Sequence, residues 1–143
     1  MPDVIKLLEQ DHREVDELFA KAESTSGAAK QQVVSKICTE LTVHAEVEET
    51  IVYPKMREAG LTDLVTEAEE EHQKVKELVA QLESMDASTN DVDPTLRELK
   101  GNVQHHVEEE ESEAFPKFRD KVSQETLQQL ADDVRNAKEQ LQS

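Results

Sequence analysis

Four stretches of this chain place apolar residues at alternating steps of three and four, the spacing that keeps one face of a helix turned toward its neighbours in an antiparallel bundle. The first stripe runs Ile5, Leu8, His12, Val15, Phe19, Ala22, and the second Val34, Ile37, Leu41, His44, Glu48, Ile51. The third is Leu61, Val65, Ala68, His72, Val75, Val79, Leu82, and the fourth Leu96, Leu99, Val103, His106, Glu110. Each is broken by a histidine, twice followed one turn later by a glutamate. The pattern predicts an all-α protein, an antiparallel up-down four-helix bundle. Three glycines, four prolines and 3% aromatic residues in 143 agree with it and leave a core of small aliphatics. Such a core buries little apolar area for its size, so binding energy from a metal would add usefully to its stability.

Starts and stops complete the plan. Asp3 is placed to cap a first helix to about Ser24, where "STSG" breaks the pattern. A second helix runs from about Ala28 to Tyr53, ended by Pro54 and then Gly60, and Thr62 or Asp63 caps a third to about Met85. Beyond the polar loop "DASTNDVDP", Asp93 and Pro94 open a fourth helix that ends or kinks near Pro116. Ser123 opens a further C-terminal helix with Leu127, Leu130, Val134, Ala137 and Leu141 on one face, packed outside the bundle. Residues 1–143 thus read as one domain, with the bundle over about 3–119 and the extra helix over about 123–142.

Sixteen basic against 33 acidic residues give a formal charge of −17, a sign that argues against nucleic acid or an anionic membrane surface as partner and suits metal cations. The single cysteine, Cys38, allows neither an intramolecular disulfide nor a thiolate cluster and reads as a small buried residue. Without an apolar signal segment or a membrane-spanning run, the expected home is the cytoplasm.

The chain also repeats itself. "HAEVEETIVYPKMR" (44–57) aligns without gaps on "HVEEEESEAFPKFR" (106–119), and "DHREVDELFAK" (11–21) on "EHQKVKELVAQ" (71–81). The protein is a helical hairpin written twice, with four of its five histidines at equivalent positions. His105 matches Val43 and is the odd one out.

In an up-down bundle, residues at equal distance from a connecting turn lie at the same height, which puts His12, His44, Glu48, His72, His106 and Glu110 in one layer. A histidine and a glutamate four apart share a helix face. One such pair means little, but two in register with two more histidines are hard to reach by accident. As a bare polar network they would carry a desolvation cost of several kcal/mol for each unpaired ion. A dication cluster removes it. Imidazoles and carboxylates without thiolate suit iron, manganese, zinc or copper, and six donors are too many for one tetrahedral zinc but suit two bridged ions.

This ordered set, His, H-x-x-x-E, His, H-x-x-x-E over roughly residues 3–119, resembles the hemerythrin-like family, the HHE cation-binding domains. The resemblance implies a non-haem di-iron centre, two iron ions with oxo and carboxylate bridges: Glu48 and Glu110 bridging, His12 and His44 on one iron, His72 and His106 on the other. Respiratory hemerythrins have a second histidine in the third helix where this chain has Lys76, so reversible oxygen carriage is not what the resemblance predicts here. Replacement ligands or hydrogen-bond partners are sought in Tyr53, Glu69, one turn before His72, and Glu113, an acid on the stripe where the first half has Ile51. An ideal helix turns Tyr53 away from Glu48. Glu108, Glu109 and Glu111 read as solvated face, His105 as lying beside the site or on the surface, and Lys76 as pairing with an acid.

The expected function is binding or consuming dioxygen, nitric oxide or hydrogen peroxide in oxidative or nitrosative stress, by a monomer or weak homodimer. Its enzyme form would be peroxide dismutation or nitric-oxide consumption. The alternative is a non-catalytic iron or oxygen sensor, or an iron-binding protein, whose stability follows metal occupancy.

Overall fold

A computed structural model describes residues 2–142. Its helices are α1 (Val4–Glu23), α2 (Gly27–Val47), α3 (Tyr53–Glu58), α4 (Thr62–Glu83), α5 (Asp93–Glu109), α6 (Phe115–Lys121) and α7 (Gln124–Gln142), and the described residues contain no strand. π turns at Glu48–Val52 and Glu110–Ala114 join α2 to α3 and α5 to α6, so the second and fourth bundle helices each continue through a widened turn. Packing of α1 on α2 and of α4 on α5 gives the two hairpins, and α7 lies against α1 and α2. Among the described residues no helix is long and apolar enough to cross a membrane.

Asp3 caps α1 as expected, accepting from the Lys6 amide at 3.0 Å. Gly60 takes φ +90 in the turn before α4, a backbone open chiefly to glycine. Ser123 Oγ accepts from the Thr126 amide at 3.1 Å where α7 begins. Four expected boundaries change. Neither Thr62 nor Asp63 caps α4, which begins at Thr62 behind Leu61 with no side-chain cap. Asp93 does not cap α5 but binds the Lys30 ammonium, while a 3-10 turn, Asn90–Val92, leads into the helix. Pro54 and Pro116 do not end their helices. Each follows a π turn in which the amide of Tyr53 or Phe115 reaches back five residues, to Glu48 or Glu110, so a proline lacking its own N–H is accommodated.

The wide turns displace the stripes by one place. Val52 and Ala114 are buried where alternating steps predict Ile51 and Glu113, and Ile51 is only half-buried. Every other residue of the four bundle stripes is buried. On α7, Leu127, Leu130, Ala131 and Val134 are buried, Ala137 is half-buried and Leu141 is 48% exposed. The apolar core is two clusters. One, with Leu8, Val52, Met56, Phe118 and the inner face of α7, lies at the end of the bundle holding the π turns. The other, with Phe19, Ile37, Val79, Leu82 and Leu99, fills the opposite end. The histidines lie between them.

Candidate metal centre

The polar layer is built by four helices and two wide turns. His12 comes from α1, His44 from α2, His72 from α4 and His106 from α5, while Glu48 and Glu110 are the opening residues of the two π turns. All six are buried, Glu48 completely. The Nε2 atoms of His44 and His72 each lie 3.1 Å from Glu48 Oε1. Those of His12 and His106 lie 3.3 Å from Glu110, on Oε1 and Oε2 respectively. Donor atoms converge in two groups, His12 with His44 and Glu110, and Glu48 with His72 and His106, each within 4.8 Å of one another.

The opposite ring nitrogen of every histidine is held by a carboxylate outside the layer. His12 Nδ1 donates to Glu111 at 2.6 Å, His44 Nδ1 to Asp11 at 3.0 Å, His72 Nδ1 to Glu49 at 2.7 Å and His106 Nδ1 to Glu71 at 2.7 Å. A proton held on Nδ1 leaves the Nε2 lone pair free to face the centre, which is how metal-binding imidazoles are oriented. The four carboxylates are themselves repeat-equivalent, Asp11 with Glu71 and Glu49 with Glu111. Sequence reading passed over them. Glu111, expected on the solvated face, instead fixes His12. The signal was an acid directly before His12 and His72, and another directly after Glu48 and Glu110, in both halves.

These residues fit a cation cluster. Among the described residues, five buried side-chain atoms have no hydrogen-bond partner: His12 Nε2, His44 Nε2, both oxygens of Glu48 and Glu110 Oε1. Atoms left so in a dry interior are costly unless a cation takes them up. Burial opposes charge on His44, but Glu48 alongside and the bond to Asp11 outweigh it and push the imidazole up to about 10. In the free protein, then, a proton on His44 takes part of the role a dication would fill.

Tyr53 enters the layer against the helical expectation, because the π turn rotates it inward. Its hydroxyl donates to Glu110 Oε2 at 2.6 Å and stands 3.2 Å from His72 Nε2 and 3.5 Å from His106 Nε2. Burial and the two glutamates hold the phenol well above its usual pKa, so it stays protonated. The second π turn likewise brings in Phe115, whose ring stacks on His12 at a 6.1 Å centroid distance.

The other candidates lie outside. Glu69 is on the surface, paired with Arg57. Glu113 is 51% exposed and pairs with Lys117, since the widened turn carries it off the inward face. Lys76, where the family's additional histidine would stand, reaches Glu49 at 2.9 Å and so touches the carboxylate that holds His72. His105 is exposed, beside Glu71 and Glu109. Cys38 is buried, and burial with Glu83 nearby pushes its thiol up to about 11.

Fold and site together define a helical bundle with a buried histidine and glutamate site for cations. The hemerythrin HHE cation-binding domain matches residues 3–118, and the chain belongs to that family. It is 31% identical over 141 residues to a DNA nickase of Nostoc sp. (strain PCC 7120), covering 98% of this chain and 39% of that protein. It is 29% identical over 136 residues to an uncharacterised hemerythrin-like protein of Schizosaccharomyces pombe, covering 90% of this chain and 66% of that one. The chain thus spans less than two thirds of either curated relative. A hemerythrin HHE cation-binding domain-containing protein from Mycobacterium kansasii has the same fold, with a TM-score of 0.86 at 21% identity over 99% of this chain and 88% of that one.

Proposed function

We propose that this chain is a non-haem di-iron protein that binds or consumes a small ligand, dioxygen, nitric oxide or hydrogen peroxide. The observation that carries the reading is the orientation of the four histidines. Each is fixed from outside through Nδ1 so that its Nε2 faces two buried glutamates with unpartnered oxygens. Glu48 and Glu110 would bridge the two ions, with His12 and His44 on one and His72 and His106 on the other. Iron bound there would supply Lewis acidity and electrons.

The remaining work belongs to the chain's own side chains. The Tyr53 hydroxyl oxygen stands 2.6 Å from Glu110 Oε2, beside His72 and His106, and its one proton fixes that carboxylate or, once turned from it, meets a ligand on the same side. A cavity of about 30 Å³ adjoins the histidines, walled by Val15, Leu41, Val75, Val103 and Val107. That volume suits a water-sized or diatomic molecule, and its apolar wall gives water few partners. Lys76 leaves His72 without the family's neighbouring histidine, so an ion held there would have one imidazole fewer from the chain, and Tyr53 is the side chain beside His72.

Protein produced with iron should contain two irons per chain with near-ultraviolet oxo-bridge bands, and its spectrum should change with at least one of the three ligands. Iron-loaded protein whose spectrum is indifferent to all three would sink the ligand reading, and protein that retains no iron would sink the centre.

A further inference from the structure

His105 is the histidine that the repeat does not explain. It begins a second H-x-x-x-E, His105 with Glu109, laid one residue behind His106 with Glu110 on the same helix. The inner pair turns into the bundle and the outer pair turns out of it. His105 Nε2 lies 3.0 Å from Glu109 Oε1 and 3.4 Å from Glu71 Oε2 of α4, and the three ligand atoms fall within 4.8 Å of one another. Glu71 is shared, since its other oxygen, Oε1, accepts from the inner ligand His106 at 2.7 Å.

A cleft between α4 and α5 continues inward from this point. Glu67, Glu71, Glu109 and Glu113 line it, and His106 and Glu110 lie at its floor. Glu110 is 2% exposed; its unpartnered oxygen, Oε1, faces His12 in the inner centre, and Oε2 accepts from Tyr53. The first half of the molecule shows what the same place looks like when closed. There Asp11 takes the part of Glu71, and its carboxylate is met by the Lys138 ammonium from α7. The equivalents of His105 and Glu109 are Val43 and Val47, both buried. Among the described residues no lysine or arginine pairs with Glu71 or Glu109.

We propose that His105, Glu71 and Glu109 form an outer site for a divalent cation and that this site passes the ion along the acidic cleft to the buried centre. One imidazole and two carboxylates suit ferrous iron, manganese or zinc. Lys117 offsets Glu113 at the edge of the cleft, but Glu71 and Glu109 converge without a lysine or arginine among the described residues, which raises the local concentration of dications and their rate of arrival. Glu71 links the steps, because an ion released by His105 and Glu109 remains on a carboxylate already touching an inner ligand. The passage rests on the di-iron reading above; the outer site does not.

Two measurements separate them. Zinc binding at equilibrium is counted for the full chain and for His105→Ala, a substitution at an exposed position whose helicity is checked by circular dichroism. The wild type should bind one more zinc per chain than the variant. Equal counts overturn the outer site. Ferrous uptake by metal-free protein is then followed by stopped flow. His105→Ala/Glu109→Gln should slow it roughly tenfold while reaching the same final iron content, and Glu58→Gln, an exposed acid on α3, should leave the rate unchanged. Uptake at the wild-type rate in the double variant, or an equal slowing by Glu58→Gln, overturns the passage. A wild type that takes up no iron overturns the passage and the di-iron reading together, while the zinc difference still decides the outer site.

Discussion

The two hairpins share their ligand pattern but differ at three places around the centre. Tyr53 occupies the first π turn's inward position and Phe115 the second's, so a phenol meets His72 and His106 while a bare ring lies against His12. Asp11 is braced by Lys138, whereas Glu71 faces His105 and Glu109. Glu49 is braced by Lys76, whereas among the described residues no lysine or arginine pairs with Glu111, which meets His12. Symmetry supplies a cage for cations, and the departures from symmetry give its two sides different chemistry. One side is closed by α7, with Lys138 on Asp11, and the other carries a proton donor and an open acidic cleft.

The largest effect should come from breaking what the halves have in common. Glu48→Leu removes both unpartnered oxygens of a completely buried carboxylate and one of the two proposed bridges. Iron retention should fall nearly to zero by metal analysis, while the metal-free protein loses roughly 3–5 kcal/mol in denaturant titration, because His44 and His72 stay buried without the carboxylate that faces them. A metal-free variant as stable as the wild type would show that these two histidines need no carboxylate facing them.

Making the halves alike is the next test. Tyr53→Phe gives both π turns an aromatic ring without a hydroxyl, and should lower ligand affinity or turnover about 10- to 100-fold while the iron stays bound. Phe115→Tyr should not restore what Tyr53→Phe removes, because its ring lies against His12 rather than Glu110 Oε2. The comparison is an optical titration of the single and double variants. Unchanged ligand binding in Tyr53→Phe would show that the phenol only fills space.

Removing the braces is a smaller perturbation. Lys138→Met should loosen Asp11 and with it His44, raising the rate of iron loss about tenfold at most, and Lys76→Met should act similarly through Glu49 and His72. Chelator competition reads both. If only one accelerates release, the two sides do not hold their ions equally.

The smallest difference is at the helix starts, where Asp3 and Asp63 are repeat-equivalent. Asp3 is buried and accepts from the Lys6 amide, Arg119 and Gln124; Asp63 is exposed in the first turn of α4. Burial raises the Asp3 pKa, but the hydrogen bonds and the Arg119 guanidinium outweigh it and hold it below its ordinary 3.8. A carboxyl depressed on folding contributes stability that is complete above the unfolded value and is lost as pH falls through the folded one. Asp3→Asn should therefore cost about 1 kcal/mol near neutral pH and flatten the stability curve below about pH 4, while Asp63→Asn should stay within about 0.5 kcal/mol. Thermal unfolding between pH 3 and 7 measures both.

The bundle was legible because its stripes keep helical spacing over several turns, and burial of residues such as Leu8, Ile37, Val65 and Leu99 follows that spacing. The layer of six donors was legible for the same reason. Tyr53 and Glu113 went the wrong way together, because one extra residue in a wide turn rotates everything after it and the only hint was a proline, which also ends helices. The outer carboxylates were hidden by charge. Among 33 acids, Asp11, Glu49, Glu71 and Glu111 stand out only when the halves are aligned and the neighbours of each ligand are compared. Lys138 against Asp11 joins positions 127 residues apart, a contact set by how α7 lands on α1 and α2.

The π turns also bear on how such a centre is moved into another scaffold. Each acts as a phase shifter, so the residues before Glu48 and after Val52 obey two helical frames offset by one position, and the same holds around Glu110 and Ala114. A design that copies the six donors onto straight helices would keep the first frame and lose the second, sending the aromatic residues outward. Deleting one residue from each widened turn would have the same result in this protein, with every proposed ligand still in place and the wall on one side of the centre rebuilt from the wrong faces.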